Sequence, residues 1–225
     1  MGRYHYVFPR WSNLLLPVLC ATAVLAPLYL VFVVAYAFSP QTTDVGYQPV
    51  QPVPYSHRIH AGQLGIDCRY CHNTVEDANR AAIPPTQTCM NCHTKIHKDS
   101  PNIVPLWASF EAGMPMQWTR VHDLPDFVYF SHAAHVDRGV SCVSCHGRVD
   151  KMEVVYQHEP LSMSWCLKCH RDPAARVRDP KLVTRLGWGQ EAGSELGEKE
   201  LRAIGEHWIE VNGLAPSQDC STCHR

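Results

Sequence analysis

The chain has 225 residues, room for one or two domains, with 45% hydrophobic and 18% charged residues and a formal net charge of −1. That balance is not the strongly basic one that a nucleic-acid partner selects. It contains no G-x-S-x-G, H-E-x-x-H or G-x-G-x-x-G run, which removes the common signatures of hydrolase, zinc-protease and dinucleotide chemistry.

Residues 1–13 form a polar and aromatic head carrying Arg3 and Arg10. Residues 14–38 follow without one charge, long enough to predict a transmembrane helix. Pro17 and Pro27 are points where that helix can kink. Cys20 lies within the span and reads as a small apolar residue. The basic flank precedes the span, and no Lys or Arg follows until Arg58. The positive-inside rule therefore sets the N-terminus in the cytoplasm and the rest on the outer, periplasmic side of a bacterial inner membrane. Ala35-Tyr36-Ala37 has the look of a signal-peptide cleavage site. The apolar run is, however, longer than the roughly 7–15 residues of a signal peptide, so the reading is an uncleaved single-pass anchor in the lipid bilayer. Residues 39–54, with Pro40, Pro49, Pro52 and Pro54, are predicted to be an extended, stiff linker.

The remaining chain is built around Cys-x-x-Cys-His, which occurs five times: Cys68-Cys71-His72, Cys89-Cys92-His93, Cys142-Cys145-His146, Cys166-Cys169-His170 and Cys220-Cys223-His224. These use ten of the eleven cysteines. The pattern is the attachment signature of c-type haem: two thiols form thioethers to the porphyrin edge, and the adjacent histidine ligates the iron from one face. Zinc is the alternative for a single copy, but structural zinc pairs half-sites into sets of four ligands. Five copies, each followed at once by His, point to five covalently bound haem c, with His72, His93, His146, His170 and His224 as proximal ligands. Five haems with ionised propionates would bring the holoprotein to roughly −6 oxidised and about −11 reduced.

Two segments repeat. Tyr55-Ser56-His57-Arg58-Ile59-His60 matches Phe130-Ser131-His132-Ala133-Ala134-His135 at an offset of 75, Cys68 matches Cys142 at 74, and Cys89 matches Cys166 at 77. Residues 55–98 and 128–172 are thus two dihaem units, joined by an irregular segment, 99–127, rich in Pro and Trp. The two histidines of each aromatic-Ser-His-x-x-His run share the face of a short helix without having to reach the same iron. One is expected to serve its own unit's first motif and the other a different haem. Residues 173–225 form a C-terminal extension with a helix over 194–212, its buried face drawn through Leu201, Ile204, Trp208 and Val211, stopped by Gly213 and followed by the fifth motif.

His57, His60, His132 and His135 are the foremost candidates for distal iron ligands. Met163, His122, His207 and His97 compete for the fifth distal position; a thioether there raises the haem potential relative to a second imidazole. With two protein ligands on every iron there is no open coordination site. The chemistry is then electron transfer, with no catalytic residue and no small-molecule substrate of its own. The fold class is a multihaem cytochrome c: haem-packed, mostly irregular with short helices, plus one N-terminal transmembrane helix.

The runs Val53 to His57, Gly65 to His72, Pro84 to His93, Val121 to Pro125, Tyr129 to His135, Gly147 to Met152 and Pro160 to Arg171 together resemble the pentahaem subunit of bacterial alternative complex III. The resemblance covers about residues 1 to 172 and the last motif more loosely; residues 173–212 carry no part of it. It implies an electron-relay subunit of a quinol-oxidising complex, passing electrons to a periplasmic acceptor. The implied partners are polytopic quinol-oxidising membrane subunits, an iron–sulfur subunit and a monohaem cytochrome c subunit. Two other functions remain open on the sequence. One is a self-sufficient single-anchor multihaem quinol dehydrogenase, weakened by the proline-rich stretch separating span and first motif. The other is a haem-bearing structural or assembly subunit.

Overall fold

The structure, a computed structural model, describes residues 8–39, 44–190 and 195–224. Arg3 and most of the predicted head, Pro40 and the start of the C-terminal helix predicted at Ser194 lie outside the described residues. The chain divides into two compact units, one ending at Asp44 and one running from Val45.

In the first unit, a 3₁₀ turn over Arg10–Leu14 runs into helix α1, Leu15–Ala37. At 1.5 Å per residue α1 is about 35 Å long, enough to cross a hydrocarbon core of about 30 Å. None of its residues is buried against protein, and it is uniformly apolar rather than two-faced. Pro17 falls in the first turn, where backbone N–H groups have no intrahelical partner. Pro27 falls in the interior and leaves the Ala23 carbonyl without its helical donor. Such a helix is stable where a bilayer replaces water around its side chains, which is the reading of a membrane anchor.

The second unit contains short helices and no extended sheet among the described residues; its strand pairing is limited to the isolated bridges Val128–His224 and Val140–Val177. The helices are α2 (Cys68–Cys71), α3 (Thr86–His93), α4 (Val104–Ala112), α5 (His132–Val136), α6 (Val143–His146), α7 (Met163–Arg171), α8 (Glu198–Asn212) and α9 (Cys220–Cys223). The polypeptide core is small. Met90, Ile103 and Leu106 form one cluster, flanked by Cys89, Trp107 and Met116. Val183 is wholly enclosed elsewhere, where its carbonyl accepts the Ser141 hydroxyl at 2.8 Å.

Three features depart from the sequence reading. The segment between the repeats is not all irregular, since α4 occupies its middle. Pro101 and Pro105 there start helical turns, because Pro in a first turn loses no intrahelical hydrogen bond, and Gly113 at φ 62° ends α4. The proline-rich stretch, from Val45 on, lies along its own unit. Gly46 N–H donates to Gln157 O and Gln157 N–H to Tyr47 O at 2.8 and 3.0 Å, while Gln51 exchanges two hydrogen bonds with the backbone of Thr119. The C-terminal helix is rotated from the face drawn for it. Gly205 is buried against Ala174, Leu201 packs toward Gly189, and Val211 is exposed. The missing Cβ of Gly205 lets the α8 backbone approach more closely than Ile204 would.

The duplication is visible as a reciprocal embrace. Arg58 N–H donates to Met152 O at 3.0 Å, and its counterpart Ala133 N–H donates to Ala78 O at 3.2 Å. Each aromatic-Ser-His-x-x-His element therefore docks on the loop that follows the first motif of the other repeat. Gly62 makes the first contact possible, since any Cβ there would run into the Asp150 carbonyl.

Candidate haem sites

Each Cys-x-x-Cys lies on a helical turn, where an i, i+3 spacing turns both thiols to one side. Local capping sets two of these turns: Asp67 accepts the Arg69 N–H at the start of α2, and Ser162 accepts the Trp165 N–H at α7. Ser131 likewise accepts the Ala134 N–H at α5, which carries His132 and His135.

The histidines meet in pairs. His132 and His146 have ring centroids 6.3 Å apart and planes within 8°. His135 and His170 are 6.1 Å apart at 51°. In the other repeat, His60 and His93 are 6.2 Å apart at 53°, so the equivalent pairs agree in both distance and angle. Two imidazoles bound through Nε2 to opposite sides of one iron, at about 2.0 Å per bond, hold their centroids roughly 6.3 Å apart. The pairs therefore have the separation a shared iron requires. His57, the counterpart of His132, is pushed down to about 4 by burial and then by its neighbours His72 and His60. In the second repeat the first histidine of the element thus faces the first motif, and in both repeats the second histidine faces the second motif.

The rings are also oriented alike. Nδ1 of His60, His72, His93, His132, His135 and His170 donates to the carbonyls of Ser56, Ala82, Ile96, Asn79, Ser131 and Ser217 at 2.6–3.0 Å. With the proton and the hydrogen bond fixed at Nδ1, Nε2 is left as the metal-binding nitrogen. The Ser217 carbonyl comes from the C-terminal extension, which thereby holds a ring of the fourth motif. His57 Nδ1 departs from this pattern, buried without a hydrogen-bond partner.

The thiols of successive sites adjoin. Cys68 and Cys142 neighbour each other across the two repeats. Cys71 is within electrostatic reach of Cys89, Cys145 of Cys169, and Cys166 of Cys223. Burial is the chief cause that pushes the Cys145 thiol up to about 12. The Tyr129 N–H donates to Cys223 O at 2.8 Å, tying the fifth motif to the start of the second repeat. The sites follow one another in the order second, first, third, fourth, fifth motif. Among the described residues no three His, Cys, Asp or Glu side chains converge on a metal-sized point.

The contenders for the fifth distal position separate. His122 packs behind His146, with centroids 4.4 Å apart and Nε2 3.4 Å from His146 Nδ1. Burial, then His132, pushes His122 down to about 4 and keeps it neutral. His97 and His207 are exposed. Met163 is exposed at the start of α7, one turn before Cys166. On His224 packs Phe127, at 5.9 Å. Sequence reasoning gave no role to the aromatic residue of the repeat. Tyr55 stacks on His60 at 4.4 Å and meets His57 edge-on at 4.8 Å, and Phe130 does the same to His135 and His132 at 4.7 and 4.9 Å. The signal was present, since an aromatic residue precedes Ser in both copies.

Comparison with known proteins follows the same division of the chain. The family model for cytochrome c7 and related cytochrome c matches residues 128–225, which is the second repeat and the extension together. A menaquinone reductase, multiheme cytochrome c subunit, from Nitratidesulfovibrio vulgaris is 33% identical over 210 residues, covering 92% of either chain.

Proposed function

This chain belongs to the family of multihaem cytochrome c subunits, and we propose that it carries five haem c as an electron relay on the periplasmic side of the inner membrane. It is an electron-transfer subunit of a membrane redox complex rather than the seat of bond-making chemistry. The observation that carries the proposal is the set of histidine pairs at 6.1–6.3 Å, each with Nδ1 turned away from its partner ring.

In this reading the haems, once bound, supply one-electron storage at five successive centres. Cys68 and Cys71, Cys89 and Cys92, Cys142 and Cys145, Cys166 and Cys169, and Cys220 and Cys223 hold the macrocycles. His72 with His57, His93 with His60, His146 with His132, and His170 with His135 would hold four irons. His224 would hold the fifth together with Met163; Met163 shares a face of α7 with Cys166, whose thiol neighbours Cys223. The protein fixes ring orientation through the Nδ1 hydrogen bonds, excludes water with Tyr55 and Phe130, and sets potentials by ligand type. The electron path runs through the second, first, third, fourth and fifth motifs in that order.

The resemblance to alternative complex III supports outward flow from quinol, through polytopic membrane subunits and an iron–sulfur subunit, toward a monohaem cytochrome c or another periplasmic acceptor. The N. vulgaris relative, a menaquinone reductase subunit by name, favours a second reading in which electrons run the other way, into menaquinone. The row has no intrinsic direction; the potentials of its partners decide it.

The test starts with membranes solubilised in mild detergent, a native gel stained for haem and mass spectrometry of every co-migrating chain. A large band with iron–sulfur and polytopic partners, holding five haems per copy of this chain by pyridine haemochrome, is expected. A small band with this chain alone, still reduced by a quinol analogue, would replace the relay by a self-sufficient quinol dehydrogenase. Reduction of the haems in the large complex by a quinol analogue supports outward flow. Reduction by a soluble cytochrome followed by oxidation with menaquinone supports the inward one.

A further inference from the structure

Six of the candidate ligand rings rest Nδ1 on a backbone carbonyl, whereas His146 rests it on another imidazole. The His122 ring stands nearly perpendicular to His146, at 81°, with its Nε2 3.4 Å from His146 Nδ1. We propose that His122 is a positioning residue for the third-motif haem: it accepts the hydrogen bond of His146 Nδ1–H and lowers the potential of that haem alone. The proposal rests on the reading that His146 and His132 share an iron.

The argument is one of proton bookkeeping. If His146 gives Nε2 to iron, its ring proton must sit on Nδ1. The acceptor facing that proton is His122 Nε2, so His122 carries its own proton on Nδ1. An imidazole nitrogen is far more basic than an amide oxygen and draws the shared proton more strongly. His146 thereby gains imidazolate character, which raises its basicity as a ligand and favours ferric iron. The contact also spends His122 Nε2, the nitrogen an iron would need, on His146 Nδ1. His122 is therefore not the missing distal ligand, although its position just ahead of the second repeat makes it look like one. Its segment is steadied by the Arg120–Asp123 ion pair at 2.6 Å.

The test is a redox titration of the purified, haem-loaded complex, following each low-spin centre by electron paramagnetic resonance. His122→Phe removes the acceptor and is expected to raise the midpoint of one haem by roughly tenfold in its redox equilibrium constant, about 59 mV for one electron. His122→Gln offers an amide oxygen and is expected to give a smaller rise. The other four centres stay where they were, and all five stay low-spin. Unchanged midpoints in both variants overturn the proposal. A high-spin centre in either variant also overturns it, because His122 would then be an iron ligand. If the Phe variant does not take up haem, the Gln variant against the unmodified protein decides alone, and no shift there overturns it. Failure of the underlying reading is separate: the unmodified protein would itself lack low-spin bis-histidine signals.

Discussion

Gly205→Ala sets two opposed effects against each other in α8. Ala is favoured over Gly in a helix interior by about 1 kcal/mol, so propensity alone predicts stabilisation. The added Cβ would fall on the Ala174 carbonyl, 2.6 Å from its carbon. That is roughly 1 Å short of the about 3.5 Å at which two carbons sit comfortably. The obstacle is backbone and cannot rotate away. The α8 helix would have to withdraw, and it is held by Leu201 against Gly189 and by the Arg202–Asp172 pair with two bonds of 2.8 and 2.9 Å. That pair is exposed and contributes little; the loss lies in the separated packing. Overpacking costs about 1–3 kcal/mol where neighbours can adjust and more where they cannot, so a net destabilisation of about 2 kcal/mol is expected. For a chain of this size that lowers the apparent melting midpoint by roughly 4–8 °C. Gly213→Ala is the control, with φ 58° but nothing within 4 Å of the added Cβ. It should cost only the left-handed backbone preference, about 1–2 kcal/mol. The assay is thermal unfolding of the haem-loaded protein, followed by circular dichroism and Soret absorbance. A melting midpoint for Gly205→Ala equal to or above the unmodified protein would refute the docking of α8 on Ala174.

Three further outcomes are expected. His135→Ala should convert one low-spin haem to a five-coordinate or water-ligated centre and leave the others, since His135 faces His170 alone among the second-motif histidines; five unchanged low-spin signals would refute the pairing. Met163→Leu should abolish a near-infrared methionine-ligation band and shift a single midpoint, and a retained band would return Met163 to a surface role. Asp67 is held down at about 2, first by the Arg69 side-chain hydrogen bond, against the opposing effect of burial, with the Thr184 hydroxyl also donating at 2.8 Å. Its folded pKa lies below the unfolded value, so its stabilisation is present above about pH 4 and is lost as pH falls toward 2. Asp67→Asn should therefore narrow its gap from the unmodified protein across that window in acid melts; a gap independent of pH would refute it.

How far the sequence carried depends on whether local rules were enough. The Cys-x-x-Cys-His runs, the span of α1 and the stop at Gly213 are local, because their chemistry is complete within a few residues. The pairing of His60 with His93 and His135 with His170 is not local. It follows from how one repeat docks on the loop of the other, through Arg58 to Met152 and Ala133 to Ala78. The His122 contact was hidden for a related reason: a histidine ahead of a repeat reads as a ligand, and only its contact with His146 Nδ1 tells otherwise. The face of α8 was misdrawn because apolar spacing favours Ile204 and Val211, whereas close packing favoured the side chain that is absent at Gly205. The proline-rich stretch read as a spacer because composition reports stiffness and not the partner of Gly46 and Gln51.

The reciprocal embrace has a consequence for the timing of assembly. Arg58 finds Met152 across 94 residues, and His132 finds Asn79 across 53. Contacts of that span form late, after the chain has explored many looser arrangements. Emerging from its N-terminal end, the first repeat therefore has no loop to dock on until the second has followed. Until then Cys68, Cys71, Cys89 and Cys92 stay open to the machinery that joins haem to thiol. The contacts that align the finished row are thus still unmade in the interval when the thiols of the first repeat are open to attachment.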